Sequence, residues 1–272
     1  MPFRIVQSKQ NARLKELRRA LAHPGRDHRG LAGIEGPNLL DEALRAGLNV
    51  ASVFVAEGSE RLLDGLRLPP ETEILLLPKE LLDSALATET PQPIAALVEP
   101  PVWNWTHLLA NRGGNAPLVV ILAGLQDPGN LGTILRSAEA FGASGVFSLP
   151  GTASAWNPKA VRASAGSVFR LPLLTVSAEE CFARLREAGI KIWTTAADGA
   201  EAAHRADLAG ATALLIGNEG NGVPEELAAQ ADGALTIPCP GPVESLNASV
   251  AAGVLLYEAS RQRSTKSSGL LN

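Results

Sequence analysis

Leu118-Val119-Val120-Ile121-Leu122-Ala123-Gly124-Leu125-Gln126-Asp127-Pro128-Gly129-Asn130-Leu131-Gly132-Thr133-Ile134-Leu135-Arg136 is the stretch that decides the fold. Its first six residues are apolar without alternation, which fits a strand buried on both faces. Gly, Pro and Asn then break the strand, and apolar spacing predicts a helix over Leu131–Phe141. Strand, loop, helix is the unit of a parallel sheet, because parallel strands need a crossover connection.

The same alternation continues downstream. Strands are predicted at Gly145–Leu149, Leu171–Val176, Lys191–Ala196, Ala211–Ile216 and Ala234–Ile237, with an irregular stretch after the first of them. Helices are predicted at Ala178–Ala188, Pro224–Ala231 and Leu246–Arg263, before a polar tail from Ser264. Two more loops repeat the design of the first: Ile216-Gly217-Asn218-Glu219-Gly220-Asn221-Gly222-Val223-Pro224, and Ile237-Pro238-Cys239-Pro240-Gly241-Pro242-Val243-Glu244-Ser245-Leu246-Asn247. Ligands of open α/β sheets bind at the carboxyl ends of strands, so these three loops are the candidate site.

Upstream lies a smaller α/β module. A helix is predicted over Ser8–Ala22 with Ser8 as its N-cap, burying Leu14, Leu17 and Leu21. A helix from Pro37 to Gly47 follows, then strand Val50–Ala56, a helix around Ser59–Leu66, strand Glu73–Leu77, helix Lys79–Ala87 and strand Ile94–Glu99. Pro100-Pro101 and Arg112-Gly113-Gly114-Asn115 frame an expected linker, in which Trp103 and Trp105 could pack to either side. The expected boundaries are 1–99 for the first domain, 100–117 for the linker, 118–264 for the second domain and 265–272 for the tail.

The chain has 272 residues, 46% of them hydrophobic and 19% charged, which excludes a disordered protein. No apolar run is long enough to cross a bilayer, and the basic first residues lack the apolar core of a signal peptide. Two cysteines, Cys181 and Cys239, exclude a disulfide framework, and a cytoplasmic enzyme is the expectation. The net charge of −4 looks unfavourable for nucleic acid, but it averages two unlike parts. The first 30 residues carry eight basic side chains against Glu16 and Asp27, a net of +6 that leaves −10 for the rest. Lys9, Arg13 and Arg18 are therefore candidate contacts to a polyanion such as RNA. A plain solvated helix face accounts for the same charges.

Elimination narrows the chemistry of the loops. The first loop lacks the G-x-G-x-x-G spacing of a dinucleotide site, and no P-loop occurs. His23, His28, His107 and His204 all lie outside the three loops, which argues against a Ser-His-Asp triad and against a metal centre. What remains is backbone plus Asn130, Arg136, Glu219, Ser245 and Asn247, a set suited to a polar organic ligand and an anionic substrate. Glu219 and Ser245 have a second reading, as caps of a loop or helix.

The three loops resemble the three motifs of the SpoU (TrmH) branch of the SPOUT class of RNA methyltransferases. Motif one matches Asp127 to Ala138, motif two Ile216 to Gly222, and motif three Ile237-Pro238 with Ser245-Leu246-Asn247-Ala248-Ser249-Val250-Ala251. The first 100 residues resemble the ribosomal-protein-like substrate-binding domain that many members carry. The resemblance implies a trefoil-knotted α/β domain with a parallel sheet, a homodimer, S-adenosylmethionine as methyl donor, and a ribose 2′-hydroxyl of RNA as acceptor. Ribosomal RNA is the expected substrate, transfer RNA the nearest alternative, and a nonenzymatic RNA-binding protein of the same fold the alternative from another class. The family's donor-binding positions fall on Thr195, Ala196, Gly217, Ile237 and Leu246. Its catalytic polar positions fall on Asn130, Arg136, Glu219, Ser245 and Asn247. The small residues of Asn247–Gly253 suit either packing within the chain or, by the resemblance, a subunit interface.

Overall fold

A computed structural model describes residues 3–23, 30–86, 88–111, 114–196, 201–242 and 245–269. His28 and the basic Arg26 and Arg29, together with Ala87, Arg112-Gly113, Val243-Glu244 and the last residues of the tail, lie outside the described residues. In chain order the elements begin β1 (Phe3–Ile5), α1 (Ala12–Ala22), β2 (Ala32–Glu35), α2 (Pro37–Arg45), β3 (Val50–Ala56), β4 (Glu73–Leu77), α3 (Lys79–Asp83) and β5 (Ile94–Val98). They continue with α4 (Trp105–Leu108), β6 (Leu118–Leu122), α5 (Pro128–Ala140), β7 (Gly145–Ser148), α6 (Pro158–Ser164), α7 (Ser167–Arg170) and β8 (Leu173–Thr175). Then come α8 (Ala178–Glu187), β9 (Lys191–Thr195), β10 (Glu201–Ala202), β11 (Thr212–Ile216), α9 (Glu225–Ala228), β12 (Gly233–Thr236) and α10 (Ala248–Gly269).

The chain divides into two compact units, Met1–Val102 with Ser154–Arg170, and Trp103–Ala153 with Leu171–Asn272. The segment Ser154–Arg170, irregular by sequence, holds α6 and α7 and clusters with the first unit. Residues 103 onward, expected as linker, cluster with the second. There α4 carries an Asn104–His107 capping box, buries Leu108, and sets Trp105 against Phe147 with ring centroids 4.8 Å apart.

The first unit has a five-stranded sheet in the order β1-β4-β3-β5-β2, parallel at β1-β4-β3 and antiparallel at β3-β5-β2. Sequence reading misses β1 and β2, which are three and four residues long and carry little pattern. α1 packs on β2, where a Cβ on Gly33 would lie 2.8 Å from the Leu21 side chain, so close approach requires glycine. The start of α1 also differs from expectation. Asn11, not Ser8, is the N-cap, its side chain accepting from the Arg13 and Leu14 N–H groups. Ser8 Oγ accepts from Gln10 N instead and closes a turn before the helix. Two predicted helices shrink: Ser59–Leu66 becomes a 3-10 turn at Glu60–Leu63, and Lys79–Ala87 ends as α3 at Asp83.

The second unit has a seven-stranded sheet in the order β10-β12-β9-β11-β6-β7-β8, and every pairing is parallel. The apolar run Leu118–Leu122 is the central β6, fully buried as its composition predicts. It pairs with β11 in a register that sets Leu122 beside Ile216, so the loops after both strands leave the same edge. Thr195 of β9 pairs with Leu235 of β12, which brings their following loops to that edge too. α10 packs on α5 and β11 and runs to Gly269, beyond the expected end at Arg263. The buried Arg263 guanidinium anchors it by donating to the carbonyls of Ala116, Pro117, Leu208 and Gly210.

Candidate active site

α5 begins at Pro128, three residues before the predicted start, with Asp127 as N-cap accepting from Gly129 N and Asn130 N. Much of the first loop is therefore the opening turn of a helix. That turn fixes Asn130 with helical backbone geometry at the sheet edge.

The second loop is closed by a pair of backbone hydrogen bonds between Asn218 and Gly222, at 2.9 and 3.0 Å. A Cβ on Gly217 would lie 2.1 Å from the Gly222 carbonyl carbon, so the tight loop admits only glycine there. Asn218 is a residue the sequence reading missed. Its Oδ1 accepts from Gly220 N, and its Nδ2 donates to the Gly124 carbonyl at 2.9 Å, tying the second loop to the first. An amide side chain inside a glycine-rich turn was the available signal.

Glu219 completes that tie. Its carboxylate accepts from Asn130 Nδ2 at 3.0 Å, Asp127 N at 3.1 Å and Gln126 N at 3.3 Å. Partial burial pushes its pKa up, but the hydrogen bonds from the Asn130 amide and the backbone N–H groups outweigh this and hold it below the ordinary carboxylate value. Asn130 Oδ1 in turn accepts from Asn247 Nδ2 at 3.1 Å. Asn247 Oδ1 caps α10, accepting from Ser249 N, Ser249 Oγ and Val250 N. One polar chain, Glu219–Asn130–Asn247, thus stitches all three loops together.

Arg136 stands apart from this chain. It is exposed on α5, and no described residue hydrogen-bonds or ion-pairs with it. Glu219 holds the loop and Asn130 holds its neighbours; neither side chain is spent on orienting Arg136. Ser245 is exposed, and the capping of α10 falls to Asn247 rather than to Ser245.

Beside the stitched loops lies a cavity of about 670 Å³, with Thr195, Ala196, Gly217, Ile237, Ser245 and Leu246 in its wall. The size suits a nucleoside-sized ligand. Thr194 also lines it, and its buried Oγ1 has no hydrogen-bond partner in the protein. A buried hydroxyl left unsatisfied by the protein on a cavity wall calls for a polar ligand atom or water. A wall of mixed apolar and polar groups with an unsatisfied hydroxyl fits S-adenosylmethionine, which the wall residues would hold.

The basic leader needs one correction. Arg13 is not a free surface charge: it binds Glu16 at 2.8 Å and Glu73 at 2.9 Å, and Glu73 also takes Arg4 at 2.6 Å. Burial pushes the Glu73 carboxyl up, but the hydrogen bonds from Arg13 and Arg4 prevail and lower it. Lys9 is exposed and Arg18 half-buried.

Comparison with known proteins gives the same reading as the geometry. The SpoU rRNA Methylase family matches residues 117–257, more than half of the chain. The chain belongs to the SpoU rRNA methylase family. An MRM3-like substrate binding domain matches residues 11–96. Among SpoU relatives, the Bacillus subtilis 23S rRNA (guanosine(2553)-2'-O)-methyltransferase RlmP is 31% identical, over 93% of this chain and 97% of its own. The SpoU methyltransferase AviRb of Streptomyces viridochromogenes, solved with AdoMet, is 30% identical with a TM-score of 0.81, over 94% of this chain and 99% of its own. An AdoMet-bound rRNA methyltransferase from Sinorhizobium meliloti is 28% identical with a TM-score of 0.80, over 95% and 98%. As a SpoU methylase, the protein is an RNA 2′-O-methyltransferase, and its methyl donor is S-adenosylmethionine.

Proposed function

We propose that the protein methylates one ribose 2′-hydroxyl of ribosomal RNA, with Arg136 acting at the acceptor and the Glu219–Asn130–Asn247 chain holding the site in shape. The observation that carries this reading is the contrast between the bonded chain and the uncommitted Arg136 on the same helix as Asn130. S-adenosylmethionine, when bound, supplies an electrophilic methyl group. Gly217, Ile237 and Leu246 present backbone to it, with Thr195, Ala196 and the Thr194 hydroxyl on the adjoining wall.

A ribose hydroxyl is a poor nucleophile until its proton is leaving. A guanidinium almost never gives up its own proton, so Arg136 does not act as a free base. It grips the phosphate beside the target ribose and polarises the hydroxyl, whose proton leaves to that phosphate or to water. Asn130 and Asn247 keep the loops fixed relative to one another, which matters because positioning carries much of the rate. Ser245, exposed at the cavity wall, faces the entering acceptor.

The finer features of the SpoU reading belong to the same proposal. Val250, Val254 and Tyr257 lie exposed at i, i+4 and i+7 of α10, while Ala252, Leu255, Leu256 and Ala259 are buried. The helix thus packs within its chain on one face and leaves an apolar stripe on another, which supports a homodimer. The trefoil knot belongs to the same proposal and rests on the match to the SpoU family. Among the described residues no helix is long and apolar enough to cross a membrane. Free thiols at Cys181 and Cys239 support a cytoplasmic site of action. The domain limits 1–99 and 118–264 belong to the same proposal, with α4 of the intervening segment kept on the second unit because Trp105 packs on Phe147.

Calorimetry and methyl incorporation test the proposal together. The protein should bind S-adenosylmethionine and transfer labelled methyl to protein-free ribosomal RNA. Binding of NAD without binding of the donor contradicts it. Light scattering should give a dimer at micromolar concentration, and a monomer counts against the shared interface.

A further inference from the structure

The segment between β7 and β8 leaves a group of side chains that methyl transfer does not use. No Asp or Glu occurs between Glu139 and Glu179, while Lys159, Arg162 and Arg170 do. Arg170 is taken by Glu42 at 2.5 Å and is structural. Lys159 and Arg162 are exposed on α6. One turn before them Trp156 is half-buried, stacked on the buried Phe169 with centroids 5.9 Å apart and planes at 29°.

Arg162 has an unusual partner. Its Nη1 lies 4.0 Å from Glu35 Oε2; the arginine side chain is 44% exposed and the glutamate side chain 3%. Glu35 Oε1 accepts from Thr88 Oγ1 and Gln92 N, both at 2.8 Å, whereas buried Oε2 has no hydrogen-bond partner. A buried carboxylate thus faces the guanidinium at ion-pair rather than hydrogen-bond distance. Its charge holds Arg162 in place, and the donors of the fork stay available. A planar fork of this kind binds phosphate oxygens in pairs, and an aromatic plane nearby takes an unpaired base.

We propose that Trp156 and Arg162 form an RNA-contact surface of the first unit, with Glu35 as the residue that positions Arg162. The inference rests on the RNA methyltransferase reading and adds to it a surface built from two stretches far apart in sequence. Trp156 stacks a single-stranded base, while Arg162 takes the adjoining phosphate. RNA is the partner that fits, because the counter-charge of Arg162 is buried and the outward chemistry is cationic and aromatic.

Filter binding of the full chain to protein-free 23S ribosomal RNA, across a KCl series, tests it. The double variant Arg162→Ala with Glu35→Gln avoids leaving a buried charge alone. It should lower the salt slope by about 0.7 to 0.9, one phosphate contact. Trp156→Ala should weaken binding about tenfold at every salt concentration with the slope unchanged. Glu35→Gln alone should weaken binding without changing the slope, since the charge stays and its aim is lost. Arg162→Lys should behave as Glu35→Gln does. A purely structural role moves only the melting temperature. If the wild type binds and methylates ribosomal RNA while these variants keep its affinity and slope, the inference is overturned and the enzyme reading stands. A wild type that binds no ribosomal RNA overturns both.

Discussion

α1 and α5 each begin at an Asx cap and each carry an arginine singled out by sequence, yet the two arginines have opposite fates. Arg13 is bonded to Glu16 and Glu73 and serves the first unit's own stability. Arg136 is exposed, and no described residue claims it. The difference teaches that a cation hydrogen-bonded to carboxylates is spent on the fold, whereas one left without such bonds stays available to a substrate. The count of +6 in the leader ignored Glu73, sixty residues downstream of Arg13 and paired with two of the leader's arginines.

Breaking the α5 side of the contrast should have the largest effect. Arg136→Ala should cut methyl transfer by about 10² to 10⁴-fold, the range of a group acting on a proton in flight. Donor affinity by calorimetry should stay close to wild type. Normal turnover in this variant removes Arg136 from the mechanism.

Loosening the stitched loops comes next. Glu219→Ala leaves three donors without their acceptor, and transfer should fall about 10²-fold through misplacement of Asn130. Glu219→Gln should fall less. The pH dependence has a defined sign. Glu219 and Glu73 both have carboxyls held below the ordinary 4.5, so their contribution to stability is complete above that value. It is lost as pH falls through their lower folded values. Thermal melts of wild type, Glu219→Gln and Glu73→Gln between pH 3 and pH 7 (about the carboxylate range) should show the variants losing less stability on acidification.

On the α1 side the effects are smaller and of another kind. Arg13→Ala should cost roughly 1–2 kcal/mol of stability, since the pair is part-exposed and shares two acceptors. It should leave the salt slope of RNA binding unchanged. Removing Lys9 and Arg18 should lower that slope by about 0.7 or more. A slope that follows Arg13 instead reverses the assignment of the leader. The smallest contrast is at the cap: Asn11→Ala should cost about 1 kcal/mol, and Ser8→Ala only a few tenths. Denaturant melts separate the two.

Legibility followed the same physics. β3, β4 and β6 were readable to the residue or nearly so, because an unbroken apolar run admits few alternatives. β1 and β2 were not, because strands of three and four residues carry no usable period and β2 is recognisable only by what packs on it. α6 and α7 were hidden by glycine and serine; α6 packs on β2, and Arg170 at the end of α7 pairs with Glu42 of α2. In the site, Asn130, Glu219 and Asn247 were nameable from motif and polarity. Their bonding to one another was not, since it joins loops about ninety and over one hundred residues apart. Asn218 and Thr194 were missed for the same reason: one acts by reaching another loop, the other by facing a cavity that only the sheet creates.

The most direct test of the central claim is a map of 2′-O-methylation across ribosomal RNA from cells with and without this protein. One ribose should lose its methyl group in the deleted strain. Purified wild-type protein with S-adenosylmethionine should restore it, and Arg136→Ala should not. An unchanged map, or restoration by Arg136→Ala at the wild-type rate, would contradict the account.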